Sequence, residues 1–307
     1  MNTRFEPGLQ DMVKQNVHVW INGQIFPVTE AKISVFDRNV FYGDAVFETL
    51  HLTKARKVFK LQEHFRRLRV SAKALDIKVP LSDEELTKAI ADCVRASGGG
   101  VVDGWIRVSI SRGVAPSGLD PRHAIGEPTV IVAAFPFGPH ARPSGQGVRA
   151  KIVSTRRIPP QCLDPKIKQA NYLNEIFAKQ EAINSGMDEA LMLDVDGFLA
   201  EAPAANIFLV KDESLYTPPL KYILAGITRQ TVLEIARDEQ IPALEVELTV
   251  ADLFSADEAI LTGTGAGLAA LIEVDKRPIG NGLPGPMLQK LKVLYERKVD
   301  EDSTPLF

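Results

Sequence analysis

The C-terminal half of the chain holds the residues best suited to covalent chemistry. In Asp164-Pro-Lys-Ile-Lys-Gln-Ala-Asn-Tyr172, a lysine standing between a strand and a helix can project into a cleft. Desolvation there lowers its pKa from about 10.4 toward neutrality and gives an amine able to form a Schiff base. Lys166 and Lys168 are two residues apart, so an extended segment points both the same way. Spacing alone does not choose between them, and two solvated surface lysines are the plainer alternative. Further on, Asp196-Gly197 signals a turn, after which Glu201 stands among Leu, Ala and Pro neighbours that cannot solvate a charge. A carboxylate so placed needs a cationic partner, unless it sits at an edge and reaches water.

Two further segments suit an anion. Ala225-Gly-Ile-Thr-Arg229 opens a helix just after a glycine, where first-turn N–H groups and the helix dipole bind phosphate well. Leu261-Thr-Gly-Thr-Gly-Ala-Gly267 follows a strand with three glycines that let backbone amides approach an oxyanion. Neither nucleotide fingerprint is met, since Leu268 occupies the last glycine position of G-x-G-x-x-G and no G-x-x-x-x-G-K-[ST] occurs. His18, His51, His64, His123 and His140 show no metal-ligand spacing, and G-x-S-x-G is missing. One Schiff-base lysine, one apolar-flanked carboxylate and two phosphate-type loops together suit a phosphorylated carbonyl cofactor, and pyridoxal 5'-phosphate fits that set.

The elements that must position these groups are legible in outline. Residues 17–26 read as a hairpin around Asn22-Gly23, followed by strands at 46–52 and 57–61. Leu61, Phe65, Leu68, Ala72 and Leu75 then mark one helix, and Ser82-x-x-Glu85 caps a second that ends at Gly98-Gly99-Gly100. Strands follow at 105–111 and 129–135. Residues 138–147 lack apolar periodicity and concentrate breakers, which predicts a linker between a domain over 17–137 and another over 148–307. The second half reads as strand 149–154, helix 172–183, strands 189–193 and 206–210, a helix from Ile227, strand 258–262 and helix 286–298. Strands and helices mix without strict alternation, so the fold class expected is α+β.

Composition limits the function classes. The 307 residues, with 36 Lys plus Arg against 39 Asp plus Glu and 45% hydrophobic content, describe an ordinary globule of about two domains. A formal charge of −3 with mixed signs gives no pull toward nucleic acid or an anionic membrane. No apolar run reaches the roughly 18 residues of a membrane span. Two isolated cysteines, Cys93 and Cys162, and a polar leader suit a reduced, cytoplasmic compartment.

With these residues in view, the chain resembles the class IV aminotransferases, the pyridoxal-phosphate family that includes branched-chain and D-amino-acid aminotransferases and aminodeoxychorismate lyase. The resemblance runs from about Trp20 to Tyr295. It rests on six motifs in order: Asp37-Arg-Asn-Val-Phe-Tyr-Gly-Asp-Ala-Val-Phe-Glu48, Glu63-His-Phe-Arg-Arg-Leu68, Ile167-Lys-Gln-Ala-Asn-Tyr172, Asp196-Gly to Asn206-Ile-Phe, Gly226-Ile-Thr-Arg229 and Thr262-Gly-Thr-Gly265. It implies a small N-terminal α/β domain and a larger C-terminal domain with the cofactor between them, in a homodimer or higher homo-oligomer. By the same resemblance Lys168 carries the cofactor, Glu201 meets its ring nitrogen and Tyr172 its ring hydroxyl. Arg67, the Ile227 and Thr228 amides and Thr264 hold its phosphate. Tyr42, Phe47, Arg107 and the Thr264-Gly265 turn shape the substrate pocket, which Trp105 narrows or re-aims.

Two neighbours depart from the branched-chain pattern. Thr49 stands where those enzymes usually have Gly. His51 stands where they have Arg or Lys, and histidine there resembles some (R)-selective amine transaminases or simply caps a strand end. The implied reaction moves an amino group from an apolar, branched-chain type amino acid to 2-oxoglutarate by a ping-pong route, with pyridoxamine 5'-phosphate as the intermediate cofactor form. D-Amino-acid or (R)-amine transamination and aminodeoxychorismate lyase activity are the alternatives within the fold. A noncatalytic phosphate-ligand binding protein is the alternative of another class.

Overall fold

The computed structural model describes residues 9–98, 101, 103–137 and 147–307. They divide into two units: residues up to 137 with Ile167–Asn171 and Asp302–Phe307 form the first, and residues 147–166 with Tyr172–Glu301 form the second. The linker expected at 138–147 lies outside the described residues except for Gly147. The short segment that bears Lys168 therefore groups with the N-terminal unit, although it follows 20 residues of the second in sequence.

The first unit is built on a seven-stranded sheet whose order is Ser303–Pro305, Lys57–Phe59, Ala45–Leu52, Gly104–Ser111, Thr129–Pro136, His18–Ile21 and Gln24–Pro27. Every pairing is antiparallel. The last two strands meet at Asn22-Gly23, whose φ values of 45° and 93° are the positive pair that a two-residue hairpin turn demands. Alternation along Ala45–Leu52 sends Val46, Leu50 and Leu52 to a core shared with Phe65, Leu68, Leu86 and Ile90 from the helices Leu61–Ala74 and Asp83–Ala96. Ser82 and Glu85 cap the second helix reciprocally, as the sequence spacing requires.

The second unit carries an eight-stranded sheet in the order Ala243–Glu245, Ser214–Thr217, Asn206–Lys211, Glu258–Gly263, Gly267–Val274, Val148–Ile152 and Glu189–Leu191 along its main path, with Arg277–Pro278 paired to Gly267–Val274. Parallel and antiparallel pairs mix. The two central strands, Asn206–Lys211 and Glu258–Gly263, are buried at nearly every position, which is why they read as unbroken apolar runs. Helices Leu173–Asn184, Ile227–Asp238 and Pro286–Glu301 cover this sheet. The α+β class holds for both units. Strands Ser214–Thr217, Ala243–Glu245 and Ser303–Pro305 were not expected, because each is short and three to four residues give no alternation to count. Among the described residues no helix is long and apolar enough to cross a membrane.

Candidate active site

In the first unit, one strand organises the candidate residues. Ala45–Leu52 pairs with Gly104–Ser111 in the register Phe47 to Ser109, Thr49 to Arg107 and His51 to Trp105. The period of two places Phe47, Thr49, His51, Trp105 and Arg107 on one sheet face, away from the helix-covered core. There the Arg107 guanidinium carbon lies 3.3 Å from the Phe47 ring centroid. His51 Nε2 lies 3.2 Å from Asp103 Oδ1, and Phe137 packs between the His51 and Trp105 rings at 5.5 and 5.7 Å. Trp105 Nε1 is buried with no hydrogen-bond partner among the described residues.

Lys168 is fixed to the beginning of that strand by its own backbone. The Phe47 N–H donates to Lys168 O at 3.0 Å, the Ala170 N–H to Ala45 O at 2.8 Å, and the Lys168 N–H to Ser71 Oγ at 3.0 Å. Three short bonds around one residue leave its Cα little freedom. The Lys168 ammonium then reaches 4.5 Å from the Phe47 ring centroid, on the face that holds Arg107. Lys166, by contrast, is exposed and pairs with Asp164 at 3.7 Å. Geometry thus separates two lysines that spacing could not.

The other face of the same strand holds a buried charge cluster. Glu48 is fully buried and accepts from Arg67 twice, Nε to Oε1 and the terminal nitrogen to Oε2, both at 2.7 Å. His64, one helical turn before Arg67, places Nδ1 2.7 Å from Glu48 Oε2. Burial would raise the Glu48 pKa, but the Arg67 charge and its paired hydrogen bonds, helped by His64, hold the carboxyl well below its usual range. Burial also lowers the His64 pKa, against the pull of Glu48 and with the push of Arg67 and Lys168. The imidazole is therefore neutral, and we assign its proton to Nδ1, donating to Glu48. Arg67 is thereby presented in one fixed orientation. Tyr42 ends the helix Arg38–Tyr42, and its hydroxyl accepts from the Gly118 N–H at 2.9 Å.

The second unit gathers the remaining candidates around Asn206. Glu201 is buried and accepts from Arg157 Nε at 2.7 Å, Asn206 Nδ2 at 2.8 Å and the Leu224 N–H at 3.1 Å. The cationic partner that its apolar neighbours demanded is Arg157. Burial would lower the Arg157 pKa, yet Glu201 and Glu175 together raise it above the ordinary guanidinium value. Asn206 also pairs in register with Thr262 and lies against Gly226, where a Cβ would come within 1.9 Å of its Oδ1. Only glycine fits that position.

Gly226 starts the helix Ile227–Asp238 with no side-chain cap, so the first-turn amides of Ile227 and Thr228 are presented to whatever binds there. Thr264 and Gly265 form the turn between Glu258–Gly263 and Gly267–Val274, two residues beyond Thr262. Tyr172 precedes the helix Leu173–Asn184. Arg229 serves the fold instead, bound to Thr217 Oγ1, Pro218 O and Glu245.

A phosphorylated pyridine suits this donor set. Thr262 Oγ1 is buried with no partner among the described residues, next to an uncapped helix start and a glycine turn, and a carboxylate held by an arginine stands behind Asn206. The orphaned hydroxyl and exposed amides fit a phosphate. The carboxylate fits a protonated ring nitrogen.

Sequence reading did not single out Glu48, His64, Arg157, Glu175 or Asn206. Signals existed for two of them: Glu48 interrupts the apolar set Val46, Leu50, Leu52, and Glu175 shares the buried helix stripe of Ala178 and Ala182. A charge on an apolar stripe marks a buried pair.

The family matched by the sequence, described as amino-transferase class IV, spans residues 45–274, and the chain belongs to it. Among individual relatives, a putative branched-chain-amino-acid aminotransferase of Methanocaldococcus jannaschii is 42% identical over 279 residues, which cover 91% of this chain and 95% of that protein. The crystal structure of a branched-chain aminotransferase from Thermoproteus uzoniensis with norvaline superposes with a TM-score of 0.87 at 38% identity, covering 95% of this chain and 99% of the other. A T.th. branched-chain amino acid aminotransferase complexed with N-(5'-phosphopyridoxyl)-L-glutamate has a TM-score of 0.87 at 34% identity, covering 94% of this chain and 98% of the other.

Proposed function

We propose that this chain transfers the amino group of a branched-chain L-amino acid to 2-oxoglutarate, with pyridoxal 5'-phosphate as cofactor, in two successive half-reactions. Family membership supports transamination, and the relatives' names support the branched-chain class. The complex of a related enzyme with N-(5'-phosphopyridoxyl)-L-glutamate supports the cofactor, and its glutamyl part has the carbon skeleton of 2-oxoglutarate. The observation that carries the reading for this chain's own residues is the pinned backbone of Lys168, with its amine on the Phe47–Arg107 face.

When bound, the cofactor supplies an electron-poor ring that takes up electron density from the substrate Cα. The chain's residues do the rest. Lys168 Nζ would hold the cofactor at rest and, once the substrate amine displaces it, would take the proton from the substrate Cα as base and deliver it as acid to the carbon of the cofactor that had carried the aldehyde. Arg67, oriented by Glu48, binds the phosphate together with the Ile227 and Thr228 amides and Thr264. Glu201 keeps the ring nitrogen protonated, and Tyr172 donates to the ring oxygen. Arg107 and Tyr42 receive the substrate carboxylate with the Gly265 amide, while Phe47, Thr49, His51 and Trp105 line the side-chain space.

Borohydride reduction tests the first assignment. Trapping of the cofactor on the chain should vanish in Lys168→Ala and persist in Lys166→Ala; the opposite pattern overturns it. Half-reaction spectra with L-leucine, D-alanine and (R)-1-phenylethylamine read the substrate class, and a response confined to either of the latter two defeats the branched-chain reading.

Self-association as a homodimer and residence in the cytoplasm complete the proposal. Val35, Phe36, Val40 and Phe41 in one unit, and Leu173, Ile176, Phe177 and Ile183 in the other, are exposed apolar side chains of the kind a second copy covers. Light scattering at the mass of one chain would refute the dimer. Free thiols at Cys93 and Cys162 support a reducing compartment.

A further inference from the structure

We propose that Glu175 is a positioning residue which, through Arg157, sets how much negative charge Glu201 presents to the ring nitrogen of the cofactor. The inference rests on the role given to Glu201 above.

Arg157 is divided between two carboxylates. Its Nε donates to Glu201 Oε1 at 2.7 Å, and a terminal nitrogen donates to Glu175 Oε1. All three side chains are at least nine-tenths buried, at 9% exposure for Arg157 and 4% for each glutamate. A guanidinium paired with Glu201 alone would form a neutral couple, and a neutral couple attracts a pyridinium weakly. Sharing the same guanidinium with Glu175 gives the three groups a formal charge of 1 − 2 = −1.

In a medium of low dielectric that excess acts strongly at the nearest site able to hold a cation. Asn206 and the Leu224 N–H fix Glu201 without cancelling any of its charge, because both are neutral donors. Glu175 spends little of its own charge elsewhere: its Oε2 is buried with no hydrogen-bond partner among the described residues. Its position on the first turn of Leu173–Asn184, three residues after Tyr172, also couples the start of that helix to Arg157. Glu175 touches neither ring nor substrate in this scheme. It acts by keeping Arg157 from neutralising Glu201.

The test uses holoenzyme reconstituted with cofactor labelled at the ring nitrogen and reads the nitrogen NMR shift, which reports protonation directly. In Glu175→Gln the shift should move toward that of an unprotonated pyridine, and the half-reaction with L-leucine should slow on the order of tenfold, the equivalent of about one pKa unit at the ring. Glu175→Asp, which keeps the charge, should restore the wild-type shift. Glu175→Met removes the same charge with an apolar side chain, and is read in the same way if the glutamine variant does not fold. An unchanged shift in the charge-removing variant overturns the proposal, as it would if Glu175 carried a proton or served packing alone. A wild-type ring nitrogen that is already unprotonated instead sinks the assignment of Glu201, so the two failures are distinguishable.

Discussion

Each unit of this aminotransferase sets an arginine of the candidate site against buried carboxylate, and the two clusters count differently. In the first, a single carboxylate, Glu48, accepts from one edge of the Arg67 guanidinium and from a neutral His64, so the charges of Glu48 and Arg67 cancel and every one of these hydrogen bonds is short. In the second, a single guanidinium, Arg157, serves two carboxylates, Glu201 and Glu175. The first is closed: it fixes an arginine whose direction matters. The second has more carboxylate than guanidinium, and so has capacity for a cation. The same residue types are therefore balanced in one place and acid-rich in the other, and the difference lies in stoichiometry and not in distance, since the Arg67–Glu48 and Arg157–Glu201 contacts are both 2.7 Å.

The largest effect is expected where the closed cluster is broken. Glu48→Ala leaves the Arg67 guanidinium without the carboxylate that balances it and His64 without its acceptor, in a site that is fully buried at Glu48. Removing one partner of a buried pair costs about 3–5 kcal/mol. Denaturant unfolding should show a loss of that size. The folded variant should also hold the cofactor more weakly if, as proposed, Arg67 binds its phosphate, because the guanidinium then lacks the carboxylate that orients it. A loss below about 1 kcal/mol, the range of exposed pairs, would mean that water reaches the cluster and that the two units do not differ as described.

The contrast also explains what could be read from the sequence. Local chemistry was legible: Asn22-Gly23 gave its hairpin, Ser82 and Glu85 their capping box, and the Leu61 to Ala72 stripe its helix. So was the family, because its motifs are short and contiguous. The pairings were not legible, because each joins residues distant in sequence: Arg157 meets Glu201 across 44 positions and Glu175 across 18. Spacing left Lys166 and Lys168 open and the family resemblance alone preferred Lys168, since what distinguishes their surroundings is Phe47 and Ser71 lying beside the segment. Periodicity reports which face a residue takes, not which distant residue it finds there.

His64 offers the smallest and most discriminating test of the closed cluster. If the imidazole is buried neutral, its folded pKa lies below the value of about 6.5 that it has in the unfolded chain. The unfolded state then binds more protons below that pH, so stability falls as pH drops through it, by up to roughly 1.4 kcal/mol per unit. Glu48 is also depressed, but its contribution is complete above the ordinary glutamate pKa of about 4.3 and is lost only as pH falls below it. The two limbs are therefore separate. Glutamine at position 64 can still donate to Glu48 and cannot titrate. His64→Gln should thus match the wild type closely at about pH 7 and exceed it by a growing margin as pH falls below the unfolded histidine pKa, with the carboxylate limb unchanged. A variant that instead loses stability relative to the wild type on acidification would show a cationic His64 in the fold. The first cluster would then carry a surplus positive charge, and the opposition between a balanced site and an acid-rich one would have to be redrawn as one between sites of opposite sign.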